Sequence, residues 1–167
     1  MSIFSKLFSS LGPEDEKKRK FREFEKGFHA EEMINLSKAV WLTSRGNHYG
    51  EQGNLDQAIA DFREAIELKL DHSPAYISLG IAYREKGMFR EALEILHKAP
   101  RKMTAHGQEQ ATSELLLYAT IATVYLLMGD KVKSLEYARR AVESANEWDE
   151  PEMIEMAEQI IRELEGE

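Results

Sequence analysis

A displacement of 34 residues brings the middle of the chain into register with itself. It aligns Gly46 with Gly80 and Tyr49 with Tyr83. The other matched pairs are Glu51 and Glu85, Gly53 and Gly87, Ala58 and Ala92, and Ala65 and Ala99. A further displacement of 42 residues adds a third copy, with Ala122, Tyr125, Gly129, Ser134 and Ala141 at equivalent places. Self-similarity at such a period is typical of repeat proteins, whose units bury their apolar faces only against one another. We therefore predict a stack of repeated units.

Each copy has the pattern of two helices. Leu42, Gly46 and Tyr49 recur at spacings of four and three, which places them on one face of a helix. Gly53 is suited to end this helix and Asn54 to begin the next. The apolar stripe of the second helix is Ala58, Ile59, Phe62, Ala65 and Ile66. The small residues let the two helix backbones approach, and the tyrosines are predicted to pack in the core. The predicted fold class is all-α.

At these residues the sequence resembles the tetratricopeptide repeat family, whose pattern is W-x2-L-G-x2-Y followed by Ala, Phe, Ala and Pro. Copy one supplies Leu42, Gly46, Tyr49, Ala58, Phe62 and Ala65. Copy two supplies Tyr76, Leu79, Gly80, Tyr83, Ala92, Leu96 and Ala99, and copy three supplies Tyr118, Ile121, Ala122, Tyr125, Ser134, Ala138 and Ala141. Copy one departs from the pattern at Arg45, where Leu is usual, and copy three at Ala138, where a large apolar residue is usual. The resemblance implies a right-handed superhelical stack of helix-turn-helix hairpins.

We predict three repeats over residues 39–146, at 39–72, 73–106 and 108–146, with a loop around Pro100–Glu109. Residues 13–38 are predicted to form an N-terminal capping helix or helices laid on the first repeat, with Gly27 as a candidate break. Residues 150–165 are predicted to form a C-terminal capping helix. Its apolar stripe is Met153, Ile154, Ala157, Ile160, Ile161 and Leu164. Ten acidic side chains and one arginine in residues 143–167 are attributed mostly to a solvated face of this region.

Residues 1–12 form a separate amphipathic segment. Its apolar face consists of Ile3, Phe4, Leu7, Phe8 and Leu11. A helix this short is marginal in water, so we expect it to lie against something. The candidates are the groove of its own repeats or another copy of the protein, which would make a homo-oligomer, and a membrane surface, for which a single lysine gives little attraction. A frayed terminus is the remaining alternative.

Composition excludes several functions. The chain has no cysteine, and a net charge of −8 argues against binding nucleic acid. The five histidines are scattered without the helical spacing of a metal site, and phosphate-binding and nucleophile motifs are absent. We predict no enzymatic activity, no metal and no cofactor. The charge-free run from Leu115 to Gly129 is shorter than the roughly 20 residues of a membrane-spanning helix and predicts a helix buried on most of its circumference. With no secretory signal, we predict a cytoplasmic location.

The family resemblance implies a binding groove lined by the first helix of each repeat. Residues off the Leu/Gly/Tyr packing face are the predicted groove positions. They are Thr43, Asn47, Gly50, Ile77, Ile81, Arg84, Ala119, Thr123 and Leu126. Some family members grip a terminal carboxylate with Lys, Asn and Arg at such places, and only Asn47 matches that set. We predict an apolar groove with one cation, Arg84, that binds a peptide or an amphipathic helix of a protein partner. A membrane-associated protein anchored by residues 1–12 is the alternative.

Overall fold

The computed structural model describes residues 15–69, 71–100 and 108–147, and positions 155, 158, 161, 162 and 165. The predicted contact residues Ile3, Phe4, Leu7, Phe8 and Leu11 lie outside the described residues. Trp148 and most of the predicted C-terminal stripe lie outside them too. The chain divides into two compact units, residues 1–37 and residues 38–167. The hairpins and clefts below belong to the second unit.

Six α-helices and no strand make up the described residues, which confirms the all-α prediction. The helices are α1 (Asp15–Glu51), α2 (Leu55–Leu68), α3 (Ser73–Glu85), α4 (Phe89–Lys98), α5 (Gln108–Leu127) and α6 (Lys131–Glu147). They pair as the successive hairpins α1–α2, α3–α4 and α5–α6, and α3 also packs against α2 and α5. The predicted stack of helix-turn-helix hairpins is therefore present.

Helix α1 passes through Gly27 without interruption, so the break considered there does not occur. Residues 15–38 belong to the same continuous helix as the first helix of repeat one. A glycine inside a helix costs only about 1 kcal/mol relative to alanine. The good helix formers on both sides of Gly27 outweigh that cost.

A glycine lies two residues beyond the last residue of the first helix in each hairpin. Gly53, Gly87 and Gly129 have φ values of 76°, 74° and 82°, a backbone region that favours glycine because it has no Cβ. The matched spacing of these glycines in the sequence therefore corresponds to a matched turn in the structure.

Two backbone hydrogen bonds close each of these turns. In the second hairpin, the N–H of Gly87 donates to the carbonyl of Arg84 at 2.9 Å, and the N–H of Met88 donates to the carbonyl of Tyr83 at 2.9 Å. The first and third hairpins repeat this pair of bonds, which together form a Schellman motif. Residues at equal distances before each glycine are consequently equivalent in the three hairpins.

The two helices of each hairpin cross at a small residue. A Cβ added at Gly46 would lie 2.5 Å from Cε1 of Phe62, and one added at Gly80 would lie 2.5 Å from Cγ of Leu96. Both distances are far below a van der Waals contact, so these two crossings require glycine.

The third hairpin meets the same requirement with different residues. Ala122 and Ala138 occupy the equivalent positions, and both are buried. Because Ala138 is much smaller than the phenylalanine or leucine it replaces, the methyl group of Ala122 is accommodated. The buried hydroxyl of Ser134, at the usual alanine position, donates to the carbonyl of Ala122 at 2.9 Å. The departures of copy three from the family pattern thus compensate one another.

An ion pair joins the helices of the first hairpin. Nε of Arg45 donates to Oδ2 of Asp61 at 2.6 Å, and Nη2 donates to Oδ1 at 2.7 Å. The hydrogen bond to Asp61 raises the pKa of Arg45. The guanidinium carbon also lies 4.3 Å from the ring centroid of Trp41, which is 55% exposed. Trp41 therefore packs on an arginine at the surface.

The main core runs through all three hairpins. Tyr83 is buried in it, and Tyr49 and Tyr125 are half-buried against it, as predicted. Its buried residues are Ala58, Ile59, Phe62, Tyr76, Ile77, Leu79, Ala82, Tyr83, Ala92, Leu96, Ala99, Leu117, Ile121 and Val124.

Helix α5 is less buried than its apolar sequence predicts. Leu117, Ile121 and Val124 lie in the core, but Leu116 is 46% exposed and Leu127 is 54% exposed. The expectation of burial on most of the circumference is wrong for the face that carries these two leucines. Exposed leucines on a helix that also contributes to the core indicate a surface available for contact.

Candidate partner-binding cleft

A cleft of about 310 Å³ lies between α1 and α3, with α2 beneath it. The lining residues are Asn47, Gly50, Glu51, Leu55, Phe62, Ser78, Ile81, Ala82 and Glu85. Its floor is apolar, because Phe62 and Ala82 are buried while Leu55 and Ile81 are half-buried. An apolar floor of this kind can accept a hydrophobic side chain from a partner. We call this feature the α1/α3 cleft.

Polar and acidic side chains form the rim of the α1/α3 cleft. Asn47 is exposed and Ser78 is half-buried, so both can offer hydrogen bonds to a bound segment. Glu51 and Glu85, one from each helix, place two carboxylates at the edge. A site with few polar groups around an apolar floor is typical of a recognition surface.

Three of the nine predicted groove residues, Asn47, Gly50 and Ile81, come together in the α1/α3 cleft. Thr43 and Ile77 do not, because both are buried. Ile77 is part of the main core, and Thr43 bonds within the stack. The prediction of these two residues as groove-facing is corrected on this ground.

Arg84 does not line the α1/α3 cleft. It is half-buried, and its Nη2 lies 3.6 Å from Oε1 of Glu85. The charged side chains that line the cleft are Glu51 and Glu85, so this cleft is acidic and does not contain the cation that the sequence predicted for the groove.

The remaining predicted residues lie on α5. Ala119 and Thr123 are half-buried, and the hydroxyl of Thr123 donates to the carbonyl of Ala119 at 2.8 Å. Leu126 is exposed. These three residues are placed on the third hairpin and do not line the α1/α3 cleft.

Sequence reasoning missed the acidic and small rim residues of the cleft. Glu51 and Glu85 match at the 34-residue displacement, and Ser44 and Ser78 are also equivalent. The sequence therefore showed that an acidic residue recurs at the last position of the first helix. It did not show that this residue lies at a binding cleft, because the pattern alone does not indicate which side of the helix the next hairpin covers.

A second cleft, of about 330 Å³, lies among α2, α3 and α4. Its lining residues are Arg63, Ile66, Glu67, Leu79, Tyr83, Glu91, Glu94 and Ile95. Nε of Arg63 donates to the hydroxyl of Tyr83 at 3.1 Å. A hydrogen bond from Lys98, at 2.6 Å, lowers the pKa of Glu94. Arg63, the cation among the lining residues, therefore already has a partner within the chain.

His72 links the first two repeats beside Thr43. Its Nε2 lies 3.1 Å from Oγ1 of Thr43, which donates its own proton to the carbonyl of Ala39 at 2.8 Å. The hydroxyl oxygen can then only accept, so Nε2 of His72 carries the proton. Burial lowers the pKa of His72 from the ordinary 6.5, and the nearby Asp71 partly opposes that shift.

The lowered pKa of His72 predicts a loss of stability in acid. Because the folded chain binds this proton less readily than the unfolded chain, the contribution is complete above pH 6.5 and declines as the pH falls below that value. Urea unfolding at about pH 7.5 and about pH 5 should show a larger decline for the wild type than for His72→Gln, which keeps a donor but does not titrate. Equal declines in the two proteins would contradict this role.

The described residues hold no group of three or more His, Cys, Asp or Glu side chains arranged to bind a metal ion. Nor do they include a helix with the length and apolarity needed to cross a membrane.

Comparison with known proteins now identifies the repeated unit. The family model described as Tetratricopeptide repeat matches residues 39–72, which span the first helix pair from Ala39 to His72. Residues 39–72 carry a tetratricopeptide repeat. The Gly46 and Phe62 crossing and the Gly53 turn both lie within the matched residues.

Solved tetratricopeptide repeat structures share this fold. The first TPR of Spaghetti (RPAP3), bound to the HSP90 peptide SRMEEVD, superposes with a TM-score of 0.61 at 18% identity, covering 78% of this chain and 93% of that chain. The Yersinia enterocolitica type III secretion chaperone SycD, in complex with a peptide of the translocator YopD, gives a TM-score of 0.60 at 16% identity, covering 75% and 91%. At these identities the likeness establishes the fold.

A curated relative matches a short part of this chain. The probable UDP-N-acetylglucosamine–peptide N-acetylglucosaminyltransferase SPINDLY of Oryza sativa subsp. japonica is 36% identical over 61 residues. The match covers 36% of this chain but only 7% of that protein. So short a shared stretch carries none of the relative's activity over to this chain.

Proposed function

We propose that the chain is a non-enzymatic interaction module that binds a peptide or an amphipathic helix of another protein in the α1/α3 cleft. The observation that carries this proposal is the apolar floor of Phe62, Ile81 and Ala82 beneath the polar rim of the cleft. A helix laid in a groove uses such a floor for its apolar anchors and the rim to fix its position.

The comparisons support a peptide as the ligand class. Two proteins of the same fold, the first TPR of Spaghetti and the chaperone SycD, were solved with peptides bound. In our proposal the three hairpins of this chain offer a small surface of the same kind. We expect a transient interface near or below the standard total of about 1,600 Å².

Filling the α1/α3 cleft with a neutral bulky side chain tests the proposal. Ser78→Trp projects from the half-buried rim into the cleft, and Ala60→Trp is the matched control on the exposed face of α2. In affinity capture, a partner held by the wild type and by Ala60→Trp should be lost with Ser78→Trp, while thermal unfolding confirms that both variants fold. A partner retained equally by all three proteins would contradict the cleft as the binding site.

The remaining predictions concern residues 1–12, the cellular location and nucleic-acid binding. Self-association or membrane contact through residues 1–12 concerns a segment outside the described residues. No comparison supports the membrane-anchored alternative, so we do not propose it as the function. A cytoplasmic location and the lack of nucleic-acid binding stay predictions.

A further inference from the structure

We propose that the partner segment is basic and amphipathic, with lysine or arginine beside its apolar face, and that it binds with its basic part over hairpins one and two. This inference rests on the proposed function and assigns the chemistry of the ligand for the same cleft.

The rim of the α1/α3 cleft is acidic and its charges are weakly compensated. Glu51 is strongly exposed, and its nearest basic atom is Nδ1 of His48 at 4.0 Å. Glu85 is partly exposed, and its nearest basic atom is Nη2 of Arg84 at 3.6 Å. Both separations exceed a hydrogen bond. Lys86 is occupied by an ion pair with Asp56.

The floor of the cleft favours an apolar side chain in the partner segment. Leu55 and Ile81 are only half-buried in this floor, so an apolar side chain placed above them would remove their exposed surface from water. Lysine and arginine can pack their aliphatic stems on such a floor and leave the cationic head at the rim. An acidic segment would instead bring like charges together, and that cost selects against it. The segment expected in this cleft is therefore opposite in charge to the acidic SRMEEVD peptide held by the first TPR of Spaghetti.

The third hairpin makes the two ends of the binding face chemically different. The turn geometry makes Glu51, Glu85 and Leu127 equivalent, each lying two residues before its glycine. Leu127 is 54% exposed where the first two hairpins expose a carboxylate. Leu116, at the position of Val40 and Pro74, is also exposed. The carboxylate of the first two hairpins is therefore replaced by an exposed leucine in the third, and an amphipathic segment with one basic end fits this face in one orientation.

Two synthetic peptides test the charge assignment. The probes are LKKLLKLLKKLLKL and LEELLELLEELLEL, capped at both ends, which share their apolar residues and differ only in charge. The full chain should bind the lysine peptide more tightly than the glutamate peptide. Glu51→Lys with Glu85→Lys should weaken the lysine peptide about tenfold. The control, Glu67→Lys with Glu91→Lys, makes the same change of net charge in the second cleft and should weaken it much less.

The outcomes separate this inference from the proposed function. Equal weakening by both double variants, or no weakening by either, would overturn the charge assignment, as would tighter binding of the glutamate peptide. If Ser78→Trp abolishes binding while Glu51→Lys with Glu85→Lys does not weaken it, the cleft stands and only the charge assignment fails. If Ser78→Trp leaves binding of the lysine peptide unchanged, the proposed function itself fails.

Discussion

Gly80→Ala should lower the free energy of unfolding by about 1–3 kcal/mol, the usual cost of overpacking a core. The added Cβ would lie 2.5 Å from both Cγ and Cδ2 of Leu96, so the leucine or the helix must move. In an open helix the same substitution would stabilise the chain, by up to about 1 kcal/mol, because alanine is the better helix former. The sign of the change therefore reports the close approach of α3 and α4.

The partner residue supplies the decisive control for this prediction. Leu96→Ala alone should cost about 2–5 kcal/mol through the cavity it leaves. Combined with Gly80→Ala, it reproduces the Ala122 and Ala138 crossing of the third hairpin, so the double variant should lose less than the sum of the two single losses. Urea unfolding of the four proteins measures this coupling. Gly50→Ala, where nothing lies within 4 Å of the added Cβ, should be harmless. A Gly80→Ala variant as stable as Gly50→Ala would contradict the described packing.

Arg45→Leu should be strongly destabilising, although leucine is the usual residue of the family pattern at this place. The substitution leaves the carboxylate of Asp61, which is only 6% exposed, without its two charged hydrogen bonds. A largely buried carboxylate deprived of its partner destabilises the fold, because its charge is left uncompensated. The denaturant midpoint of the variant, compared with the wild type at neutral pH, measures the loss.

The second hairpin shows how this loss can be reversed. Leu79 and Ile95 occupy the positions equivalent to Arg45 and Asp61, and both belong to the apolar packing of the core. Arg45→Leu combined with Asp61→Ile copies that pair into the first hairpin. Replacing an ion pair with well-packed apolar residues is often neutral or stabilising, so we expect the double variant to recover most of the wild-type midpoint. A double variant as unstable as Arg45→Leu alone would contradict the equivalence.

The hairpins could be predicted from sequence because their requirements are local and recur at a fixed distance. A glycine with positive φ ends each first helix, and a small residue marks each crossing, so Gly53, Gly87, Gly46 and Gly80 stand at matching places. Gly27 satisfies neither requirement: a Cβ added there would meet nothing within 4 Å. The helix therefore continues through it, a result that depends on its neighbours and not on the glycine.

The sequence predicted which helices carry the binding face, but it did not distinguish between two neighbouring stripes on those helices. Around Asn47 the sequence predicted a stripe through Thr43 and Gly50, four residues before and three after. The structure buries Thr43 and exposes Ser44 and Glu51, three before and four after, while Gly50 lies at the cleft as predicted. Both stripes are regular on a helix. The choice between them depends on the next hairpin, because residues of α5 bury Ile77, the equivalent of Thr43, in the core. That contact comes from a residue far along the chain, which a local pattern does not contain.

Mapping backbone amide shifts of the isotope-labelled chain during titration with the lysine peptide tests the central claim most directly. The account predicts that the largest shifts fall on the rim and floor of the α1/α3 cleft, at Asn47, Ser78 and Ile81. Shifts confined to the second cleft, around Glu67 and Glu91, would contradict it.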